Sequence, residues 1–189
     1  MRTSRLLPLF AGLAFAACSS APKVDGKLGP GASLAGDSSF FLMTAPEGVG
    51  IRTEAGMEFL ENRIAPEVAR TLEAKGYAPA SKDRADLLVA VFVSDSGKVD
   101  AVRWGYTTVG WEFWGPWWVG GSGGAVYGYT TDYKKGTLVI DVVGAKSRKV
   151  LYRGVTSAVL GLTGVKGEMD QAQLRHIVER MLRNLPPKS

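Results

Sequence analysis

Gly120-Gly-Ser122-Gly-Gly124 reads as G-x-S-x-G, the spacing that sets a nucleophilic serine on a sharp strand-to-helix turn. Asp132, Asp141 or Asp170, followed by His176, would complete a hydrolase set in chain order. The mechanism needs a strand before the serine and a helix after it. Here Trp117-Trp118-Val119 precedes, and Ala125-Val-Tyr-Gly-Tyr129, a poor helix former, follows. Four glycines around one serine produce the pattern by composition alone, so a Ser122 hydrolase is the remote reading. His176 is the only histidine. It lies two residues from Leu174, about 200° round a helix, beside Gln173, Glu179, Arg180 and Arg183, which is a solvated face. Asp95, Asp100 and Glu112 have the chemistry of a glycosidase acid–base pair, but nothing in the sequence sets their separation. Gly161-Leu-Thr-Gly-Val-Lys-Gly167 lacks the phosphate-loop spacing. The expectation is a non-enzyme with no catalytic residues, no metal and no cofactor.

A different chemistry lies just upstream. Trp104, Trp111, Trp114, Trp117 and Trp118, all five tryptophans of the chain, fall in one short stretch with Phe113 and several glycines. Glycine lets the backbone turn tightly, and each indole removes much apolar area from water when it packs. Three roles fit these six aromatic residues. They cover an open sheet face, they bind an envelope protein or a cell-wall glycan such as peptidoglycan or lipopolysaccharide, or they meet the membrane interface, where tryptophan is favoured.

Cys18 is the only cysteine, which leaves the chain no disulfide and no cysteine-ligated metal. It follows a basic start (Arg2, Arg5) and an apolar run from Leu6 to Ala17, the form of an export signal and too short to span a bilayer. Phe15-Ala16-Ala17-Cys18 resembles a bacterial lipobox, so residues 1–18 are expected to be a lipoprotein signal peptide, with Cys18 the lipidated first residue after cleavage. Acyl chains contribute about 0.8 kcal/mol per buried methylene and hold such a protein to the membrane without spanning it. Ser19 after the cysteine points to the outer membrane, facing the periplasm. Removing Arg2 and Arg5 with the leader lowers the net charge from +5 to +3, with no basic stripe, which argues against nucleic acid as a partner.

The elements that must position these groups follow in order. Residues 19–38, rich in Gly, Ser, Ala and Pro, are expected to be a flexible tether, and 39–189 a single domain. Ser39–Thr44 reads as a strand. Leu60, Ile64, Val68 and Leu72, at strict four-residue spacing, predict a helix between about 53 and 75, capped by Gly76. The spacing runs through Pro66 without a phase break, which predicts a kinked helix rather than a shorter one begun at the proline. Asp86–Val93 is a central-strand run, and 98–106 is expected to return as a strand. Residues 136–143 and 149–156 make a hairpin, with Asp141 and Arg153 forming a cross-strand ion pair on the face away from the helices; a solvent-exposed pair would contribute only about 0–1 kcal/mol. Asp170 with Gln173 fits a capping box opening a last helix to about Asn184. The expected fold is α+β: an antiparallel sheet of about four to five strands, two helices packed on one face, and an aromatic, glycine-rich long hairpin or loop.

The whole pattern resembles the bacterial lipoprotein family of domain of unknown function 4136. The matching features are Phe40-Phe41, Leu72-Glu-Ala-Lys-Gly-Tyr77, Ala85-Asp-Leu-Leu-Val-Ala90, the Gly/Trp/Tyr-rich middle, Lys135-Gly-Thr-Leu-Val-Ile-Asp141, Leu151-Tyr-Arg-Gly154 and Leu185-Pro-Pro187. They span about residues 38–187. Pro66 and the tryptophan density depart from the pattern. The resemblance implies an envelope lipoprotein and brings no mechanism with it.

Overall fold

A computed structural model describes residues 24–43, 58–94, 98–100, 130–132, 137–156 and 170–188; residues 93–94, 98–100 and 130–132 are described in backbone only. The strands are β1 (Val24–Leu28), β2 (Ser39–Met43), β3 (Ala78–Pro79), β4 (Leu87–Ser94), β5 (Lys98–Asp100), β6 (Thr130–Asp132), β7 (Thr137–Gly144) and β8 (Val150–Thr156). A wide helical turn, Leu60–Ile64, runs directly into α1 (Ala65–Ala74), and α2 spans Gln171–Met181. Six strands form one sheet in the order β1-β8-β7-β4-β2-β3, and β5 pairs with β6 separately.

The α+β class and the single helical layer match the sequence, and two expectations need correction. The sheet has six strands rather than four or five, and it is mixed: β2 runs parallel to both β4 and β3. The helix between β2 and β4 is a crossover, and a crossover returns the chain in the same direction. The second correction concerns the tether. Val24–Leu28 pairs antiparallel with β8 over five residues, and Leu34 is buried, so 24–38 belong to the folded unit. The polar, glycine-bearing sequence of β1 hid it, because an edge strand needs only one apolar face.

Helix and sheet residues meet in one core. Ile64, Val68 and Leu72 from the first helix, and Leu174, Val178 and Met181 from α2, pack with Leu87, Val89, Leu138, Ile140, Val142 and Tyr152. Every residue of β7 is buried, as expected of a strand covered on both faces. The helix persists through Pro66 because the preceding turn widens: Ala65 N–H reaches back five residues to the Leu60 carbonyl. A proline ring in an α-helix clashes with the carbonyl four residues earlier, and the wider turn carries that carbonyl away. That turn also takes up more residues than an ordinary one. This keeps Leu60, Ile64, Val68 and Leu72 on one buried face despite a four-residue spacing. Gly76, at φ +93°, ends α1: its N–H bonds to the Glu73 carbonyl and Tyr77 N–H to the Leu72 carbonyl. The capping box is present, with Gln173 N–H 2.7 Å from Asp170 Oδ1.

The sheet's described edges are blunted. Gly26 N–H is taken by Asp25 Oδ1 and its carbonyl by Asn184 Nδ2, at 2.7 and 2.8 Å. On the other edge, Pro79 has no N–H to offer. No helix among the described residues is long and apolar enough to cross a membrane.

Candidate functional site

Cys18, Trp104, Trp111, Phe113, Trp114, Trp117, Trp118 and Ser122 lie outside the described residues. So do Asp95 and Glu112. In the β5–β6 ladder Asp100 pairs with Thr130, the two residues that flank 101–129 in sequence. Of the residues proposed to follow Ser122, Asp132 lies in β6 and is described in backbone only, Asp141 is paired with Arg153, Asp170 caps α2, and His176 stands on the exposed face of α2. Among the described residues no group of three or more His, Cys, Asp and Glu could hold a metal.

The Asp141–Arg153 pair forms across β7 and β8 as expected. Arg153 Nε donates to Oδ1 and Nη2 donates to Oδ2, at 2.5 Å for the second. The condition that it be exposed does not hold. Asp141 is 0% and Arg153 3% accessible, because the sheet face away from the helices is buried too, with Leu88, Phe92, Val139 and Val143 at 1% or less. A planar fork on a carboxylate in such surroundings is a fixed structural element.

Three further groups were not singled out from the sequence. Asp86 Oδ2 accepts from the backbone and hydroxyl of Ser38 and from those of Ser39, at 2.7 to 3.1 Å, tying the start of β2 to the start of β4. The Ser38 backbone bond, with the Ser39 hydroxyl next, holds its carboxyl below the usual range despite partial burial. Glu67 joins the two helices. Gln171 Nε2, Arg70 Nε and Arg175 Nε reach its carboxylate at 3.0, 2.8 and 3.3 Å. Burial pushes this carboxyl up, but the bonds from Gln171, Arg70 and Arg175 outweigh it and hold the pKa at about 2. The third is a recess of about 360 Å³ whose lining includes Leu28, Leu34, Asp37, Tyr77, Pro186 and Lys188. Burial and the neighbouring Asp86 push the Asp37 carboxyl up, against Lys146. The Tyr77 hydroxyl donates to the Pro186 carbonyl at 2.9 Å. Only the Asp86 group had a sequence signal, an acid placed directly before an apolar strand.

Glu67 gives a pH signature. Its folded pKa, about 2, lies below the ordinary 4.5, so its stabilisation is complete above 4.5 and disappears as pH falls through 2. Glu67→Gln is therefore expected to be less stable than the parent at neutral pH, with the difference closing on acidification. Urea midpoints measured across that window check this, and a difference independent of pH would overturn it.

A family model for domain of unknown function DUF4136 matches residues 32–187. The chain belongs to this family. The DUF4136 domain thus covers every described element except β1, together with the segments that join them. Among solved structures, a DUF4136 family protein from Bacteroides thetaiotaomicron is 22% identical, covering 86% of this chain and 92% of that one, with a TM-score of 0.47. PelC from Paraburkholderia phytofirmans, crystallised as a dodecamer, is 13% identical over 85% of this chain and 95% of that one, with a TM-score of 0.45. No curated protein matches this DUF4136 chain.

Proposed function

We propose that this chain is a non-catalytic lipoprotein of the bacterial envelope, anchored in the outer membrane by lipid on Cys18 and facing the periplasm. Its role is that of an accessory or protein-interaction module. The single observation that carries this reading is the lone cysteine at the end of an export leader, in the lipobox-like run Phe15-Ala-Ala-Cys18. The geometry supports a binding rather than a catalytic role. The buried carboxylates of Glu67 and Asp141 and the part-buried one of Asp86 are engaged in joining helix to helix and strand to strand. The contact region is the aromatic stretch 104–118, which lies in sequence between β5 and β6.

Cys18→Ser is expected to move the protein from the membrane fraction to the soluble periplasmic fraction and to abolish incorporation of labelled palmitate. Continued membrane attachment without label would overturn the anchor. A photo-crosslinking residue at Trp111, Trp114, Trp117 or Trp118 is then expected to capture an envelope protein in living cells, and a cell-wall glycan adduct instead would favour the glycan reading.

A further inference from the structure

Two turns that are far apart in sequence meet at one end of the six-stranded sheet. Residues 81–86 lead into β4, and 144–149 turn β7 into β8. Leu87 and Gly144 are partners in the β4–β7 ladder, and Ala145 N–H donates to the Asp86 carbonyl at 2.8 Å. The first turn brings Lys82, Asp83 and Arg84, the second Lys146, Arg148 and Lys149, and all of these are exposed. With Asp86 included, five cations stand against two acids in the two turns, a net +3. The chain's +5 also falls to +3 once Arg2 and Arg5 are removed, so the rest of residues 19–189 sums to zero. Read along the chain these are two short clusters; the ladder makes them one patch.

These cations are not used inside the fold. Arg70, Arg153 and Arg175 each hold a carboxylate, whereas Lys82, Arg84, Lys146, Arg148 and Lys149 form no ion pair among the described residues. The Asp86 carboxylate is turned to Ser38 and Ser39 instead. Arg148 stands at φ +55°, the one non-glycine residue of positive φ among the described residues. The turn imposes this. Arg148 N–H bonds to the Gly144 carbonyl and Gly144 N–H to the Lys149 carbonyl, at 2.8 and 3.0 Å. Glycine would meet that geometry with less strain, so the arginine is held there against backbone preference.

The composition of the patch selects its partner. Residues 81–86 and 144–149 contain no aromatic and no large apolar side chain. A ligand site for sugar rings is lined by aromatic and apolar groups, and a surface that enters the acyl boundary of a bilayer needs apolar ones. Acids also lie within the patch. Asp83 stands between Lys82 and Arg84, and Asp37, half-buried on the adjoining 29–38 connection, is near enough to feel the Lys146 charge. Nucleic acid and anionic lipid present one sign only, which these acids would oppose. A protein face can match both signs, setting carboxylates against the cations and a cation against Asp83.

We propose that this end of the sheet docks an acidic face of a protein partner, with Lys82, Arg84, Lys146, Arg148 and Lys149 meeting its carboxylates. This surface is separate from the aromatic stretch and does not depend on lipidation of Cys18. The test uses the full-length protein in a nonionic detergent, with fluorescent poly-L-glutamate as the acidic-polypeptide probe. Lys146→Gln with Lys149→Gln is expected to weaken binding about fivefold to tenfold, the range of two exposed charge pairs. Lys134→Gln with Lys135→Gln, which removes the same charge just ahead of β7 in sequence, is expected to leave binding near the parental value. Arg148→Gly is expected to bind more weakly than the parent while its thermal midpoint holds or rises. Equal weakening by the two double variants, parental binding by Arg148→Gly, or no binding by the parent overturns the patch. The complex is then floated on vesicles, where at physiological salt the field of a charged bilayer fades within about 8 Å. Polymer that stays on the floated protein supports the protein partner. Polymer lost on phosphatidylglycerol vesicles yet kept on phosphatidylcholine ones gives the patch to anionic lipid and overturns it. Protein that does not float speaks against the Cys18 anchor alone, and the measurement in detergent then decides the patch.

Discussion

Arg153→Met is expected to lower the unfolding free energy by about 3–5 kcal/mol, with Asp141→Asn in the same range. The expectation follows from burial. Both side chains are nearly inaccessible, and the guanidinium grips the carboxylate through two parallel bonds. Removing one partner leaves the other charge in a low-dielectric layer with its main counter-charge gone, and the desolvation penalty of that charge then stands uncompensated. A domain of this size has only about 5–15 kcal/mol of stability in total, so either variant forfeits a large part of it. Urea denaturation of both singles and of the double variant tests the claim as a cycle. The double is expected to cost less than the sum of the singles, because the second change no longer strands a charge. Single losses within about 1 kcal/mol, the range of exposed pairs, would show that the pair is solvated and would overturn this account.

Gly26→Ala is expected to destabilise the domain by about 1–3 kcal/mol or more, and Gly26→Val further still. The reason is space, since Gly26 is not among the glycines of positive φ. A Cβ on Gly26 would lie 2.0 Å from the Met181 carbonyl oxygen and 2.1 Å from Tyr152 Oη. Those two atoms already form a buried hydrogen bond of 2.6 Å, so the methyl group meets a closed contact on both sides. The last turn of α2 must lift from the sheet or β1 must leave β8, and a lifted turn strands the Tyr152 hydroxyl at a further ~1–3 kcal/mol. Gly154→Ala serves as the graded comparison. Its Cβ would be 2.9 Å from the same carbonyl, and its loss is expected to be smaller. A Gly26→Ala protein with parental thermal stability would show that the two layers yield easily there.

Much of the fold was legible locally. The β7–β8 hairpin, the apolar run of β4, the Asp170–Gln173 box and the Gly76 cap each depend on neighbours close in sequence, where propensity and spacing act. The wide turn before Pro66 was half legible. A proline inside an unbroken four-residue spacing announces a helix that must adjust, although the manner of adjustment depends on what the helix packs against. β1 was not legible, since a five-residue edge strand with one charge of each sign reads as linker until a partner strand is known.

The sequence by itself determined the family, the α+β class, the Asp141–Arg153 pairing across the hairpin, and the expectation of an anchor at Cys18. These rest on short-range order and residue chemistry. Tertiary structure alone decided that β2 lies parallel to β4, that the ion pair is buried and that Glu67 joins the two helices. Each of those depends on which distant segments are neighbours. Burial and strand direction are properties of the packed layers, and no stretch of residues carries them alone.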